Sequence, residues 1–153
     1  MANPMYGGNS YDGKVGWRTN KNAYSNLGTT TAVVLVASDM TGSAAIAGDP
    51  NGSARTVTTP TAALIVAEIK RYSSDGKCNI GDGFNFSFIN TGTAGADETY
   101  TMTAGTGVTV VGFADIENPV TTHDAFSVGS SLWRVHVTTA ATGSEAVDVI
   151  RLA

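Results

Sequence analysis

Residues 81–113 alternate apolar with small polar side chains, and this alternation constrains the fold more than any other part of the sequence. Asn, Ser and Thr lie between the apolar residues, and glycine-rich breaks divide the stretch into three parts. A period of two is the period of a β-strand with one buried face. We therefore predict strand, turn, strand, turn, strand, with one apolar face. The apolar members are Phe84, Phe86, Phe88, Tyr100, Met102, Val108 and Val110.

A second alternating segment, residues 131–138, supports the same β-rich reading. Its large apolar side chains are expected to face the core, and its two charged or titratable side chains are expected to point outward. Further strands are predicted for residues 55–58, 125–128 and 145–152. The inward set is Trp133, Val135 and Val137, and the outward set is Arg134 and His136.

Two segments in the first third of the chain receive different predictions. Residues 29–37 are β-branched or apolar on both faces, which is typical of a buried strand. Residues 38–53 contain several Gly, Asp-Pro and Asn-Gly turn signals, so we predict a loop. Within that loop, the short run 44–47 is expected to pair only weakly.

One helix is predicted, over residues 59–72. Thr59 is a suitable N-cap, and Pro60 fits the first turn. An apolar stripe follows at i, i+3, i+4 and i+7, and two cations lie near the C-terminus, where the helix dipole favours them. The stripe consists of Ala62, Ile65, Val66 and Ile69, and the cations are Lys70 and Arg71.

Seven or eight short strands with frequent turn signals and one helix are typical of a sandwich or barrel. We predict a mainly β, sandwich or jelly-roll-like single domain over residues 29–153. Residues 1–28 are rich in Gly and Asn, show no apolar period and nevertheless carry four aromatic residues. Such a segment cannot bury enough surface alone to offset its ordering entropy.

We interpret residues 1–28 as an extended N-terminal arm that becomes ordered on a neighbouring subunit, because aromatic residues and Arg are the usual anchors of interfaces. A floppy terminus is the simpler alternative. Stacking of Tyr11, Trp17 and Tyr24 on sugar rings is a second alternative, although such platforms normally lie on rigid elements. The expected arm contacts are Tyr6, Tyr11, Trp17, Arg18 and Tyr24.

Composition narrows the classes of function. Nine basic and thirteen acidic residues give a net charge of −4, which argues against a nucleic-acid partner. The single Cys78 forms no internal disulfide and no zinc site. The first ten residues lack the basic start and apolar run of a signal peptide, and no apolar run is long enough to cross a bilayer.

No motif predicts a cofactor, a metal or a reaction. Residues 8–14 fit the spacing of a phosphate loop, but Val15 replaces the required hydroxyl, and no strand precedes them. Asp39 and Asp49 lie in turn sequences without EF-hand spacing. The histidines lack a nucleophile elbow, and the acidic residues show no spacing that singles out a glycosidase pair. These residues are His123, His136, Asp115, Glu117, Glu145 and Asp148.

From residue 59 onward the chain resembles decoration, or cement, proteins of tailed bacteriophages, especially marine and cyanobacterial ones. The segments that carry the resemblance are PTAALIVAEI (60–69), GDGFNFSFINTG (81–92), TYTMTAGTGVTVVG (99–112) and TGSEAVDVIRL (142–152). They form a pattern of a capped helix, a strand ending in Asn, a Thr-rich hairpin and a closing strand. Comparable patterns occur in phage tail and fibre modules.

This resemblance implies a sandwich or jelly-roll-like subunit, often trimeric, on the outside of a capsid. The predicted function is that of a non-enzymatic virion structural protein, a cement subunit that binds the major capsid protein and itself, and neither nucleic acid nor membrane. The alternative is a tail-fibre or carbohydrate-binding recognition module. A small hydrolase ranks last, because nucleophile, base and metal ligands are not evident.

Overall fold

The computed structural model describes residues 22–29, 32–92, 98–118 and 129–153. These residues form ten strands and two helices. The strands are β1 (Asn22–Thr29), β2 (Ala32–Val34), β3 (Ser43–Asp49), β4 (Arg55–Thr58), β5 (Gly83–Asn90), β6 (Tyr100–Thr103), β7 (Val108–Val111), β8 (Asp115–Ile116), β9 (Ser130–Thr139) and β10 (Ala146–Arg151). The helices are α1 (Ala37–Gly42) and α2 (Ala62–Tyr72).

The strands form two sheets, and the prediction of a mainly β fold is confirmed. Sheet A has the strand order β1-β3-β5-β9-β10-β7, and sheet B has the order β2-β4-β6-β8. The first nine strands alternate strictly between the two sheets. As a result β1, β3 and β5 are parallel neighbours in sheet A, and β2, β4 and β6 are parallel neighbours in sheet B. Up to β6, each passage from one sheet to the other and back therefore advances the chain by one strand. Strand β7 ends this series, because it pairs with β10 at the far edge of sheet A.

The core lies on the inner face of sheet A, between that sheet, sheet B and the two helices. Strands β5, β9 and β10 bury alternate residues, as their period predicts. Helix α2 contributes the predicted stripe, which is fully buried. The rings of Phe88 in sheet A and Tyr100 in sheet B meet edge to face, with centroids 5.3 Å apart. Large buried members of the core include Phe86, Phe88, Tyr100, Met102, Trp133, Ile65 and Ile69.

The three strands predicted in residues 81–113 exist as β5, β6 and β7, but the hairpin predicted within residues 99–112 is wrong. Strand β6 belongs to sheet B and β7 to sheet A, so the turn between them crosses from one layer to the other. At Gly105 a Cβ atom would lie 2.5 Å from the carbonyl oxygen of Thr59. The amide of Ala62 also donates to the carbonyl of Thr106, at 2.9 Å. The turn thus packs on the start of α2 instead of closing a hairpin.

The predicted start of the helix also needs correction. Helix α2 begins at Ala62, and its N-cap is Thr61, whose hydroxyl accepts a hydrogen bond from the amide of Leu64 at 3.4 Å. Thr59 is buried, and its hydroxyl accepts from the amide of Gly105 at 2.8 Å. The hydroxyl that we assigned to the cap therefore fixes the β6–β7 turn.

Residues 29–37 do not form a strand buried on both faces. Of the described residues in this range, Thr29 ends β1 and Ala32–Val34 form β2, which lies at the edge of sheet B. Leu35 is buried, but Val34 and Val36 are 67% and 56% exposed. An unbroken apolar run does not distinguish a central strand from an edge strand, and here the edge position leaves one side of the run uncovered.

Residues 38–53 are not a loop. They contain α1 and then β3, which lies between β1 and β5 inside sheet A. Ile46 and Ala47 are both fully buried, so the run 44–47 belongs to a central strand and not to a weak pairing. Residues 22–28 of the predicted arm also lie in a strand, β1, which pairs in parallel with β3. The strand predicted at 125–128, and His123, lie outside the described residues.

Candidate interaction surface

The predicted arm contacts are only partly within the described residues. Tyr24 lies in β1, where its backbone is the register partner of Ala45. Tyr6, Tyr11, Trp17 and Arg18 lie outside the described residues. The structure therefore neither gathers these five residues into a site nor separates them.

Of the two carboxylates considered as calcium ligands, that of Asp49 has a local structural role. Asp39 lies in α1, and Asp49 ends β3. The Asp49 carboxylate accepts a hydrogen bond from the amide of Asn51 at 2.8 Å, which is ordinary turn chemistry. Within residues 22–29, 32–92, 98–118 and 129–153, no group of three His, Cys, Asp or Glu side chains could hold a metal ion.

Among the described residues, the most deeply buried carboxylate is that of Glu98, and it connects three chain segments. It accepts hydrogen bonds from the amide of Gly52 and, at 2.7 Å, from the side-chain amide of Asn118. Its own carbonyl accepts from the Asn90 side chain at 2.7 Å. A buried charge needs such donors to offset its lost hydration. At Gly92 a Cβ atom would lie 2.6 Å from this carboxylate, so Glu98 packs closely on the backbone that follows β5.

Cys78 lacks the properties of a reactive nucleophile. Its thiol is buried, and burial together with the nearby Asp82 carboxylate raises its pKa to about 11. The neutral thiol is therefore the form present near neutral pH, whereas a reactive cysteine needs the thiolate.

The most informative surface feature is the distribution of exposed large apolar side chains. Among the described residues there are eight: Val34, Val36, Leu64, Ile80, Val111, Phe113, Leu132 and Leu152. Seven of them fall into two groups, and Ile80 stands apart. Clustered exposed apolar residues mark contact sites, whereas single ones need no explanation.

The first group, the β10-side patch, consists of Val111, Phe113, Leu132 and Leu152. They lie at one end of three adjacent strands, since β7 and β10 run in parallel and β9 runs against them. The amide of Leu152 donates to the carbonyl of Leu132 at 2.8 Å. Val111 is the register partner of Ile150, and Leu152 follows Ile150 by two positions, directly after the end of β10. These contacts place the patch on one side of the molecule.

Arg151 fixes the exposed ring in this patch. Its guanidinium donates to the carbonyl of Phe113 at 3.3 Å and to that of Asp115. Its central carbon lies 5.7 Å from the ring centroids of both Phe113 and Trp133, within cation–π range. Burial lowers the pKa of Arg151, while the nearby acidic groups, Asp115 first, oppose that shift. Phe113, which is 62% exposed, is thus held in place by the half-buried Arg151.

The second group, the β2-side patch, consists of Val34, Val36 and Leu64. The carbonyl of Val36 accepts from the amide of Asp39, so Val36 leads directly into α1. Val34 is the register partner of Thr58, and the chain continues from there into α2. Parallel neighbouring strands that each lead into a helix place the two helices side by side, with Val36 and Leu64 at their starts.

The two patches belong to different sheets. Val34 and Val36 lie in and just after β2, at the edge of sheet B, whereas the β10-side patch lies at one end of β9, β10 and β7 in sheet A. Helix α2, which carries Leu64, begins beside the start of β7, since a Cβ atom at Gly107 would lie 3.0 Å from the Cβ atom of Ala62. The described part of the chain therefore presents exposed apolar residues in two separate places.

The outer face of sheet B is of a different kind. Thr56 and Thr101 are register partners, as are Thr58 and Thr103, so four threonines form a two-by-two array. The hydroxyls of Thr58 and Thr103 lie 2.8 Å apart, and that of Thr101 donates to the Asp115 carboxylate at 2.7 Å. This face is polar and internally hydrogen-bonded, as expected of a surface that meets solvent.

Sequence reasoning missed both patches, although one of them left a signal. In residues 131–138 the core phase is carried by Trp133, Val135 and Val137, and Leu132 lies in the opposite phase with Arg134. An apolar residue out of phase in an otherwise regular strand indicates an exposed contact position. No such signal exists for Val34, because every residue around it is apolar or small.

Comparison of the chain with protein-family models, curated proteins and solved structures gave no significant match. Neither described helix has the length and hydropathy needed to span a membrane. A function for this chain must therefore be inferred from the residues and surfaces described above.

Proposed function

We propose that this chain is a non-enzymatic virion structural protein, a cement subunit that binds the outer surface of a phage head and stabilises its lattice. The observation that carries the proposal is the placement of exposed apolar residues in two separate patches, one at the edge of sheet B and its helices and one on sheet A. A subunit that bridges neighbours in a lattice needs more than one contact surface. The resemblance of residues 60–152 to phage decoration proteins suggests a capsid as that lattice.

The proposed mechanism is lattice clamping. A ligand that binds only one state of a partner stabilises that state by mass action. A cement subunit that contacts the expanded capsid, and not the compact precursor, would in this way oppose rupture by packaged DNA. The partners are the major capsid protein and further copies of this chain, in a trimer, on the capsid exterior. A net charge of −4 is consistent with a surface without DNA contact.

The proposal includes a sandwich arrangement of the two sheets. The contact of Phe88 with Tyr100 across the sheets supports it. Five of the eight strand pairs are parallel, which argues against a jelly roll, since Greek-key connections produce antiparallel neighbours. The arm then comprises residues 1–21, because residues 22–29 form β1.

Co-sedimentation tests the function. Purified chain is mixed with undecorated expanded capsids and, separately, with compact precursor shells of the phage that encodes it. We expect saturable binding to the expanded capsids and none to the precursors. Equal binding to both, or binding to neither, would contradict the proposal.

A truncation tests the arm separately. Deleting residues 1–21 leaves β1 in place, so a loss of capsid binding would not reflect a damaged sheet. We expect the truncated chain to keep its thermal unfolding transition and to lose capsid affinity. The quadruple variant Tyr6→Ser, Tyr11→Ser, Trp17→Ser and Arg18→Ser should reproduce the loss, and unchanged binding by both would remove the arm from the mechanism.

A recognition module of the tail-fibre or carbohydrate-binding kind is the second candidate, and Phe113 is the observation that favours it. An exposed aromatic ring held by Arg151 is a preorganised platform, which is what sugar stacking requires. A glycan array separates the two candidates. A dose-dependent signal that Phe113→Ala abolishes would favour recognition over cement.

A further inference from the structure

The turn between β3 and β4 contains the one Asn-Gly pair of the sequence, Asn51-Gly52. Both residues are exposed, and both have a positive φ, 54° at Asn51 and 76° at Gly52. Apart from the chain neighbours, no heavy atom lies within 4 Å of a Cβ atom built at Gly52. An asparagine side chain and the backbone amide that follows it react most readily when the next residue is glycine, because no side chain hinders their approach.

The reaction open to such a pair is deamidation. The amide nitrogen of Gly52 attacks the side-chain carbonyl carbon of Asn51, and the new N–C bond closes a succinimide ring. The side-chain nitrogen leaves as ammonia and takes up the proton of the backbone amide. Water then opens the ring at either carbonyl and leaves aspartate or isoaspartate at residue 51. No oxidant, metal or enzyme is required.

The proton that this reaction removes points at a buried carboxylate. The amide of Gly52 donates to the carboxylate of Glu98, whose residue is only 1% exposed. The side chain of Asn118 holds the other oxygen of that carboxylate at 2.7 Å. Because an amide is planar, the new bond to carbon takes the direction of the N–H bond that it replaces. While Glu98 occupies that direction, the Asn51 side chain cannot reach the nitrogen.

We propose that Asn51-Gly52 is a site of spontaneous deamidation and that the buried Glu98 carboxylate holds this site closed in the folded chain. The reaction then proceeds only from molecules in which the turn has opened, so its rate follows the population of that open form. The inference does not rest on the capsid role, since the reaction needs only the folded chain and water.

Deamidation makes the opening of the turn permanent. In isoaspartate the side-chain methylene becomes part of the backbone, which lengthens the turn and moves the Gly52 amide out of its contact with Glu98. The new carboxylate also lies close to that of Asp49, which accepts from the Asn51 amide at 2.8 Å, and like charges at short range repel each other. The contact between the β3–β4 turn and Glu98 is then lost.

Mass spectrometry of the ageing chain measures the rate. Purified protein is kept at neutral pH, and the peptide that contains residue 51 is analysed over time for aspartate and isoaspartate. Four samples are compared: the folded wild type, the wild type in urea, Glu98→Ala and Val135→Ala. Val135 is fully buried in β9, where it pairs with Phe84, so its truncation lowers stability without touching the turn.

We expect the folded wild type to react at least about tenfold more slowly than the chain in urea. Glu98→Ala should lose most of this protection, and Val135→Ala should keep it. Equal rates in the folded and the urea-unfolded wild type would overturn the proposal, as would a Glu98→Ala chain that reacts no faster than Val135→Ala. Should Glu98→Ala fail to fold, Glu98→Gln takes its place, because an amide has one acceptor end for two donors, and it too must react faster than Val135→Ala.

A second measurement tests whether the opening is permanent. The isoaspartate form is separated by ion exchange, and its urea unfolding is compared with that of Asn51→Asp, which gains the same charge on an unchanged backbone. We expect the isoaspartate form to unfold at a lower urea concentration than Asn51→Asp. Equal midpoints would contradict the loss of the Glu98 contact.

Discussion

Strands β3 and β9 both lie inside sheet A, yet different means hold them there. Strand β9 buries large side chains on its inner face, with Trp133, Val135 and Val137 fully covered. Strand β3 buries one large side chain, that of Ile46, and the next two buried residues are the small Ala47 and Gly48. At Gly48 a Cβ atom would lie 2.9 Å from the Tyr100 hydroxyl oxygen. One strand is thus stabilised by apolar volume, the other by close approach of its backbone to the opposite sheet.

Because of this difference, the two strands are expected to lose stability through different kinds of substitution. A volume-filled strand loses stability when apolar atoms are removed or a charge is introduced. A closely packed strand loses stability when atoms are added. Destabilising substitutions in the two strands therefore differ in the sign of the volume change.

The largest effect is expected for Phe86→Asp in β5. Phe86 is the register partner of Trp133, and both are buried in the core. A carboxylate there has no donor to replace its hydration, so the chain should not fold. Circular dichroism and solubility on expression report the result. Asn85→Asp is the control, since Asn85 is exposed on the outer face, and a soluble folded Phe86→Asp chain would mean that the inward face is assigned wrongly.

A smaller but still large loss of stability is expected for Glu98→Gln. This change tests the polar contacts that join the connections between the two sheets. The Glu98 carboxylate accepts from Gly52 and Asn118, and an amide can accept with only one of its two ends. We expect a loss of about 3 kcal/mol in the free energy of unfolding, measured with urea.

A compensating change provides the control for that prediction. In Glu98→Gln with Asn118→Asp, the new amide donates to the new carboxylate, and donor and acceptor exchange places. Most of the lost stability should return. If the double variant is no more stable than Glu98→Gln alone, the hydrogen bond to Asn118 is not what holds the connection.

The close approach at β3 is tested by Gly48→Ala. The added methyl group meets the Tyr100 ring and hydroxyl at 2.9 to 3.2 Å, so we expect a loss of about 2 kcal/mol. Combining it with Tyr100→Phe removes the closest atom, and the two changes together should cost less than the sum of each alone. Gly42→Ala is the matched control, because nothing lies within 4 Å of a Cβ atom there. Additive costs would show that the contact does not govern this strand.

The same contrast explains which parts of the fold can be predicted from the sequence. Strands β5, β9 and β10 and the stripe of α2 follow from the spacing of large apolar residues, which periodicity records. Strand β3 could not be predicted in this way, because its Ala and Gly residues give no apolar period. Its backbone packs against Tyr100, which is distant in the sequence. The alternation between sheets is also not encoded in any local pattern.

The two apolar patches also differ in how far they could be predicted from the sequence. Leu132 lies out of phase in a regular strand, so the β10-side patch could have been found from the sequence. The β2-side patch could not, because Val34 and Val36 belong to an apolar run whose exposure depends on strand order. Phe113 follows β7, and only the structure shows that Arg151 holds it.

The smallest effect is expected at Cys78, which lies in the connection between α2 and β5. Burial, and then the Asp82 carboxylate, raise the pKa of its thiol to about 11, against about 8.5 for a free cysteine. The rate of alkylation in the folded chain should therefore rise about tenfold per pH unit between pH 8 and pH 10, where a free thiol levels off. Because the folded pKa is the higher one, the unfolded chain loses this proton first. The contribution to stability is thus complete below about pH 8.5 and falls as pH rises toward 11. Cys78→Ser should flatten that alkaline decline with little change at pH 7, and an alkylation rate that levels off near pH 9 would contradict the burial of this thiol.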